Sequence, residues 1–161
     1  MTQPIRRILV NIDGSEDSIT AAQYAMCLAK TLGAELTALY VVNTKALNDL
    51  VKTRIFLQSE EEEYRKDMEA DAERYLRHVK DLAAAKGIFL QTEKRVGSVH
   101  AEIRKVVEET ESDLLVIGAI AKIRSRRDEF YDEAERAMRT VTCPVLLVKN
   151  PDRVLDLYED L

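Results

Sequence analysis

Asp113-Leu114-Leu115-Val116-Ile117-Gly118 is the stretch of sequence that decides the fold. Large apolar residues follow one another between an acid and a glycine, with no alternation of polar side chains. Such a run is typical of a strand that is covered on both faces, and strands of that kind belong to parallel sheets flanked by helices. The chain is therefore expected to be an α/β protein.

The rest of the chain repeats this order of a short apolar strand followed by a helix. The run at residues 8–12 is stopped by Asp13-Gly14-Ser15, and Ser15 is the expected N-cap of a helix over Glu16–Leu32 that Gly33 ends. Further strands are predicted at residues 35–42, 88–96, 113–118 and 144–148, and further helices from Ser59, from Gly97-Ser98 and over residues 127–140. This order predicts a five-stranded parallel, doubly wound sheet with helices on both faces, a Rossmann-like architecture.

Length and composition suit one domain with a substantial core. The chain has 161 residues, of which 46% are hydrophobic, and we expect a single α/β domain over residues 1–150. Residues 151–161 form an amphipathic extension, in which apolar residues recur at helical spacing. We expect a short helix that packs on the domain or across a dimer, with a free acidic tail as the alternative.

Charge and cysteine content narrow the class of protein. A net charge of −5 gives no overall attraction to nucleic acid or to an anionic membrane. No apolar stretch approaches the ~18 residues of a membrane span, and the first residues lack the apolar core of a signal peptide. The two cysteines form no CxxC motif and no cluster with histidine. These features predict a cytoplasmic protein without a metal site and without nucleic-acid or membrane partners.

Five segments together resemble the universal stress protein family. They are residues 8–15, Ala34-Glu35-Leu36, Gly97, residues 113–118 and residues 143–148, and they span residues 5–149 in the family's order. The resemblance implies an adenine nucleotide alpha hydrolase-like fold. In such a sheet the ligand lies beyond the carboxyl ends of the strands, where the strand order reverses.

The glycine motif of the family's nucleotide-binding branch is largely missing here. Laid onto this chain, its three glycines and its hydroxyl residue fall on Gly118, Ala121, Tyr131 and Asp132. Only Gly118 matches. A ring at Tyr131 obstructs the close approach of phosphate to backbone, and a carboxylate at Asp132 repels phosphate charge. The resemblance therefore implies weak or absent binding of ATP in the family's usual manner, and we predict no required cofactor.

Some positions remain suited to a nucleotide or another anion. The resemblance places Asp13 beside a nucleoside and Val41 beside its base, with Gly118 at the end of the fourth strand. The candidate cofactor-binding edge consists of Asp13, Val41, Gly118, Lys122, Arg124 and Arg127. Long basic side chains bind anions without help from backbone amides, so ATP or AMP are the alternative ligands.

Each candidate also has a structural interpretation. Asp13 belongs to the turn before a helix that Ser15 caps. Lys122, Arg124 and Arg127 have acidic neighbours at residues 128–133 with which they can pair. For the basic cluster we favour the structural interpretation, in which the side chains pair with these acids or stay solvated. For Asp13 the turn role and the ligand role are both left open.

The sequence gives little support for catalysis, and we predict no catalytic residues. His78 and His100 lie in separate helical patterns, and neither belongs to a recognisable nucleophile motif. His100 lies nearer to the expected ligand edge, although a surface position on the helix is favoured.

The resemblance implies a homodimer that pairs the fifth strands, here Val145, Leu146, Leu147 and Val148. An exposed apolar edge strand favours such pairing.

The sequence leaves two functional hypotheses. The first is a stress-associated regulatory or interaction protein that does not turn over ATP, and the second is an adenine-nucleotide sensor or weak ATPase.

Overall fold

The computed structural model describes residues 3–45, 47–48, 58–119 and 129–161. Strands and helices alternate along the chain in the order β1 (Arg7–Ile12), α1 (Glu16–Leu32), β2 (Glu35–Asn43), α2 (Gln58–Ala84), β3 (Leu90–Gly97), α3 (Val99–Thr110), β4 (Leu114–Gly118), α4 (Glu129–Thr140), β5 (Val145–Val148) and α5 (Pro151–Glu159). The connection from β2 to α2 lies largely outside the described residues.

The five strands form one parallel sheet in the order β3-β2-β1-β4-β5. The chain winds from β1 outward to β3 and then returns to β4 on the other side of β1, so the strand order reverses between β1 and β4. This arrangement confirms the predicted doubly wound α/β fold. Its ligand edge is formed by the carboxyl ends of the strands beside that reversal.

Helices cover both faces of the sheet, as the continuous apolar strands require. On one face α1 and α2 pack on β1 and β2, where Ile8, Val10 and Leu36 are almost fully buried, and α5 packs against α1 in the same layer. On the other face α3 and α4 pack on Leu9, Leu39 and other apolar side chains of the central strands. Burial of each large apolar side chain contributes about 1.5–3 kcal/mol, so the two layers supply most of the driving force for folding.

Helix α1 begins and ends at the residues that capping chemistry predicts. The Ser15 side chain accepts a hydrogen bond from the N–H of Ser18 at 3.1 Å. At the other end Gly33 has φ of 65°, and its N–H donates to the carbonyl of Ala29. A left-handed residue after a helix costs glycine little, because it has no Cβ.

Two predicted boundaries are wrong for local reasons. Helix α2 begins at Gln58, one residue before the start predicted at Ser59. Strand β3 begins at Leu90 instead of Ile88, because the N–H of Ile88 donates to the carbonyl of Ala83 and closes the end of α2. The backbone of Ile88 thus belongs to the helix terminus and not to the sheet.

The last eleven residues contribute a helix to the core. Asn150, with φ of 62°, accepts a hydrogen bond from the N–H of Arg153, and Pro151 occupies the first turn of α5. Val154 and Tyr158 are buried among the side chains of the α1 layer. The Tyr158 hydroxyl donates to the carbonyl of Leu82 at 2.7 Å, which ties α5 to α2.

Candidate functional site

A pocket of about 340 Å³ opens at the carboxyl ends of β1 and β2, next to the reversal of strand order. We call it the switch-point pocket. It is lined by residues from the ends of β1 and β2 and the segments that follow them, from α2, from the start of α3 and from α4. They are Asn11, Ile12, Asp13, Tyr40, Val41, Asn43, Leu47, Tyr64, Met68, Asp71, Val99, Glu133 and Ala134. Its walls are mainly apolar, and its position agrees with the predicted ligand edge.

Asp13 lies at the mouth of this pocket and also orders the turn before α1. Its Oδ1 accepts hydrogen bonds from the N–H of Ser15 at 2.9 Å and from the Ser15 hydroxyl at 2.5 Å. Ser15 in turn caps α1 through Ser18. The turn role considered from the sequence is therefore present, and it leaves Asp13 among the lining residues. A ligand role for Asp13 stays a prediction.

Val41 and its neighbour Tyr40 form the wall on the side of β2. Val41 is 7% exposed and lines the pocket. Burial, followed by the charges of Asp13 and Asp71, raises the pKa of Tyr40 to about 12. The Tyr40 ring also stacks parallel to that of Tyr75 on α2, with centroids 6.2 Å apart. The phenol consequently keeps its proton and can donate a hydrogen bond.

A buried carboxylate from α4 holds the start of α3. One oxygen, Oε2 of Glu133, accepts hydrogen bonds from the backbone N–H of His100 at 2.9 Å and from Nδ1 of His100 at 2.7 Å. Ser98 is the N-cap of α3, but its side chain makes no capping hydrogen bond. Glu133 therefore takes the place of a cap and supplies the negative charge that a helix N-terminus favours.

The environment of Glu133 keeps it ionised. Burial alone would raise its pKa, but the hydrogen bonds from the backbone and ring of His100, with the charges of His100 and Arg136, lower the pKa of Glu133 below its usual value. Arg136 lies 3.7 Å from Oε1. An ionised carboxylate oxygen can only accept, so Nδ1 of His100 carries the proton in this contact.

Sequence reasoning missed Glu133 as a site residue and placed His100 on a helix surface. The structure shows His100 half-buried against Glu133. One signal was present in the sequence, since Glu133 falls four residues before the buried Ala137, on the inward side of α4. An acid on an apolar stripe normally has a partner, because an unpaired buried charge is costly.

Gly118, the one matching glycine, has a packing role in this structure. A Cβ at this position would lie 2.6 Å from the carbonyl oxygen of Asp17 and 2.9 Å from the backbone nitrogen of Ser18. The end of β4 thus touches the backbone of α1, and only glycine fits there. Gly118 is not among the residues that line the switch-point pocket. Its cofactor-binding role stays a prediction.

The remaining candidate residues are Lys122, Arg124 and Arg127. They lie outside the described residues, and so does Ala121. Tyr131 and Asp132 lie within α4, but the description does not extend to their side chains. The interpretation of the basic cluster therefore stays a prediction.

Across residues 3–45, 47–48, 58–119 and 129–161, histidine, cysteine and acidic side chains form no group of three that could hold a metal ion. Over the same ranges no helix has both the length and the apolar character that crossing a membrane requires. Cys27 and Cys143 are free thiols, and burial raises the pKa of each.

The sequence profile of the Universal stress protein family matches residues 4–149, and this chain belongs to that family. Universal stress protein MJ0531 of Methanocaldococcus jannaschii is 30% identical over 148 residues, which cover 92% of this chain and 84% of that protein. Universal stress protein YxiE of Bacillus subtilis is 29% identical over 145 residues, which cover 89% of this chain and 98% of that protein.

Solved structures share the fold at lower identity. Universal stress protein UspA from Lactobacillus plantarum superposes with a TM-score of 0.72 at 24% identity, covering 92% of this chain and all of that one (100%). A universal stress protein from Archaeoglobus fulgidus in complex with dAMP superposes with a TM-score of 0.64 at 13% identity, covering 91% of this chain and 100% of that one. A universal stress protein in complex with cAMP superposes with a TM-score of 0.63 at 18% identity, covering 89% of this chain and 96% of that one.

Proposed function

We propose that this protein is a regulatory or interaction member of the universal stress protein family that does not bind ATP in the family's usual manner and catalyses no reaction. The observation that carries the proposal is Glu133. Its carboxylate already accepts the N–H of His100 at the start of α3, beside the switch-point pocket. A helix N-terminus next to a pocket is otherwise a natural position for phosphate.

The charges at the pocket also disfavour the binding of ATP. Three carboxylates, those of Asp13, Asp71 and Glu133, are among its lining residues, and no lysine or arginine is found among those lining residues that the structure describes. Two like charges ~4 Å apart repel by roughly 1 kcal/mol in water and by several times as much at a partly buried site. A triphosphate in the pocket would meet this repulsion without the backbone amides that a glycine-rich loop provides.

An adenine-nucleotide sensor or weak ATPase is the second candidate, and a specific observation favours it. The switch-point pocket lies where doubly wound folds bind nucleotides, with Asp13 and Val41 in its lining. Two proteins of similar fold were solved with dAMP and with cAMP. In this second proposal Lys122, Arg124 and Arg127 supply positive charge that the described lining residues do not provide.

One experiment separates the two candidates. Freshly purified protein is denatured, released small molecules are identified by mass spectrometry, and the intact protein is titrated with ATP and with AMP by calorimetry. We expect no stoichiometric nucleotide and no stabilisation at millimolar ATP. A ligand at ~100 times its Kd would stabilise the fold by roughly 2.7 kcal/mol. Submicromolar binding of ATP would produce at least this stabilisation at millimolar ATP, and that result would overturn the first proposal.

We also propose that the protein acts as a cytoplasmic homodimer joined through β5. This strand lies at one edge of the sheet, and Val145, Leu146 and Leu147 are only half-buried in a single copy. Pairing with a second copy would cover both the free backbone groups and this apolar surface. Sedimentation equilibrium tests the proposal, and a monomer at high micromolar concentration would contradict it.

A further inference from the structure

The switch-point pocket combines an apolar body with acceptor groups. Ile12, Val41, Leu47, Met68 and Val99 supply aliphatic walls. Such a surface favours a ligand with an aromatic or aliphatic frame that displaces water from the pocket. The polar groups at the same walls then decide which ligands of that size are accepted.

Among the lining residues that the structure describes, the charged groups are acidic. Asp13 is exposed at the mouth, and of its two carboxylate oxygens only Oδ1 accepts hydrogen bonds within the described residues, both from Ser15. Asp71 approaches from α2 and pairs with Arg74 at 2.9 Å, where both side chains are at least half exposed and water weakens the pair. Their charges reach into the pocket, because together with burial they raise the pKa of Tyr40 to about 12.

From this juxtaposition we infer that the switch-point pocket takes a small organic cation, a protonated amine carried on an apolar frame, and selects against anionic ligands of the same shape. The frame occupies the aliphatic walls, and the ammonium lies between the carboxylates of Asp13 and Asp71. The inference rests on the proposed function, since a pocket that holds ATP in the usual manner would need the opposite charge preference.

Three indole compounds of nearly equal shape test the charge preference. Tryptamine is cationic at neutral pH, tryptophol is neutral and indole-3-propionic acid is anionic. The chain contains no tryptophan, so the anisotropy of indole fluorescence reports binding of each probe directly. We expect tryptamine to bind about tenfold more tightly than indole-3-propionic acid, with tryptophol between them. Added salt should narrow the difference, since the acids at the mouth are exposed.

Matched variants locate the effect. Asp71→Asn should weaken tryptamine binding about threefold to tenfold and leave tryptophol unchanged. Asp13→Asn should act likewise while it keeps the oxygen that Ser15 contacts. Asp67→Asn, on the same helix one turn earlier and outside the lining, serves as the control and should change neither probe. Circular dichroism of each variant confirms that the fold is retained.

The inference is overturned if the three probes bind equally, if none binds, or if the anion binds most tightly. Its failure is distinguishable from that of the proposed function. Tight binding of ATP overturns the proposed function, whereas a protein that ignores both ATP and tryptamine retains the proposed function and loses only the inference about the ligand.

Discussion

The carboxylate of Glu133 on α4 holds the start of α3 by accepting hydrogen bonds from the backbone N–H and from the ring Nδ1 of His100, at 2.9 and 2.7 Å. The two residues are 33 positions apart in sequence, so this contact joins two helices on the same face of the sheet. It also places an ionised group where a phosphate would otherwise meet free amides. The same contact therefore bears on both stability and ligand choice.

Glu133→Gln should destabilise the protein by about 1–3 kcal/mol, because hydrogen bonds to a charged acceptor are replaced by weaker ones to a neutral amide. Urea denaturation at neutral pH measures the change. Glu135→Gln on the same helix is the control. The Glu135 carboxylate pairs with the exposed Arg139, and its loss should cost less than about 1 kcal/mol. Equal effects of the two substitutions would contradict the special role of Glu133.

Asp113 should make the fold sensitive to acid. Its Oδ2 accepts the N–H groups of Arg6 and Arg7 at 2.8 and 3.0 Å, which fastens the start of β4 to that of β1. These hydrogen bonds, with smaller contributions from the charges of both arginines, lower the pKa of Asp113. A carboxyl group with a lowered pKa in the folded state stabilises the protein above its unfolded pKa, near pH ~4, and loses that contribution as pH falls further.

Asp113→Asn should therefore flatten the acid limb of the stability curve. Urea midpoints measured in steps from about pH 6 to about pH 3 should fall less for this variant than for the unmodified protein. Asp81→Asn is the control, because Asp81 lies exposed on α2 and should leave the curve unchanged. Parallel curves for Asp113→Asn and the unmodified protein would refute the assignment.

The architecture was readable from the sequence because local chemistry determines it. Ser15 and Gly33 fix the two ends of α1, and the unbroken run before Gly118 requires a strand buried on both faces. Ile88 was assigned to a strand because its side chain suits one. Its N–H instead closes α2, and side-chain patterns carry no information about such a backbone hydrogen bond.

The candidate site was less accessible to sequence reasoning. Asp13 and Val41 were identified from the ends of β1 and β2, where parallel strands converge. Asp71 and Glu133 were not, since each reaches the pocket from a helix whose rotation about its own axis depends on tertiary packing. The ligand role of Gly118 stays a prediction, but the sequence did not reveal that the backbone of Asp17 lies against this glycine. Contacts between distant segments are what the sequence alone did not reveal.

Gly118→Ala should destabilise the protein in the absence of any nucleotide, by about 1–3 kcal/mol. The added Cβ would meet backbone atoms of Asp17 and Ser18, which cannot rotate away. Gly33→Asn is a useful comparison. Nothing lies within 4 Å of a Cβ at Gly33, and asparagine tolerates its left-handed conformation, so the cost there should be smaller. If Gly118→Ala leaves the stability unchanged, packing does not explain this glycine, and phosphate binding becomes the main explanation for it.

Helix α5 should be integral to the stability of the domain instead of a removable tail. Val154 is 2% exposed, whereas its neighbour Leu155 is 43% exposed. Val154→Ala should therefore cost about 1–3 kcal/mol through lost burial and a cavity, and Leu155→Ala should cost less than about 0.5 kcal/mol. Urea denaturation of both variants measures the difference. If the two substitutions are equally mild, α5 is not docked on α1 in solution, and the domain ends near Asn150.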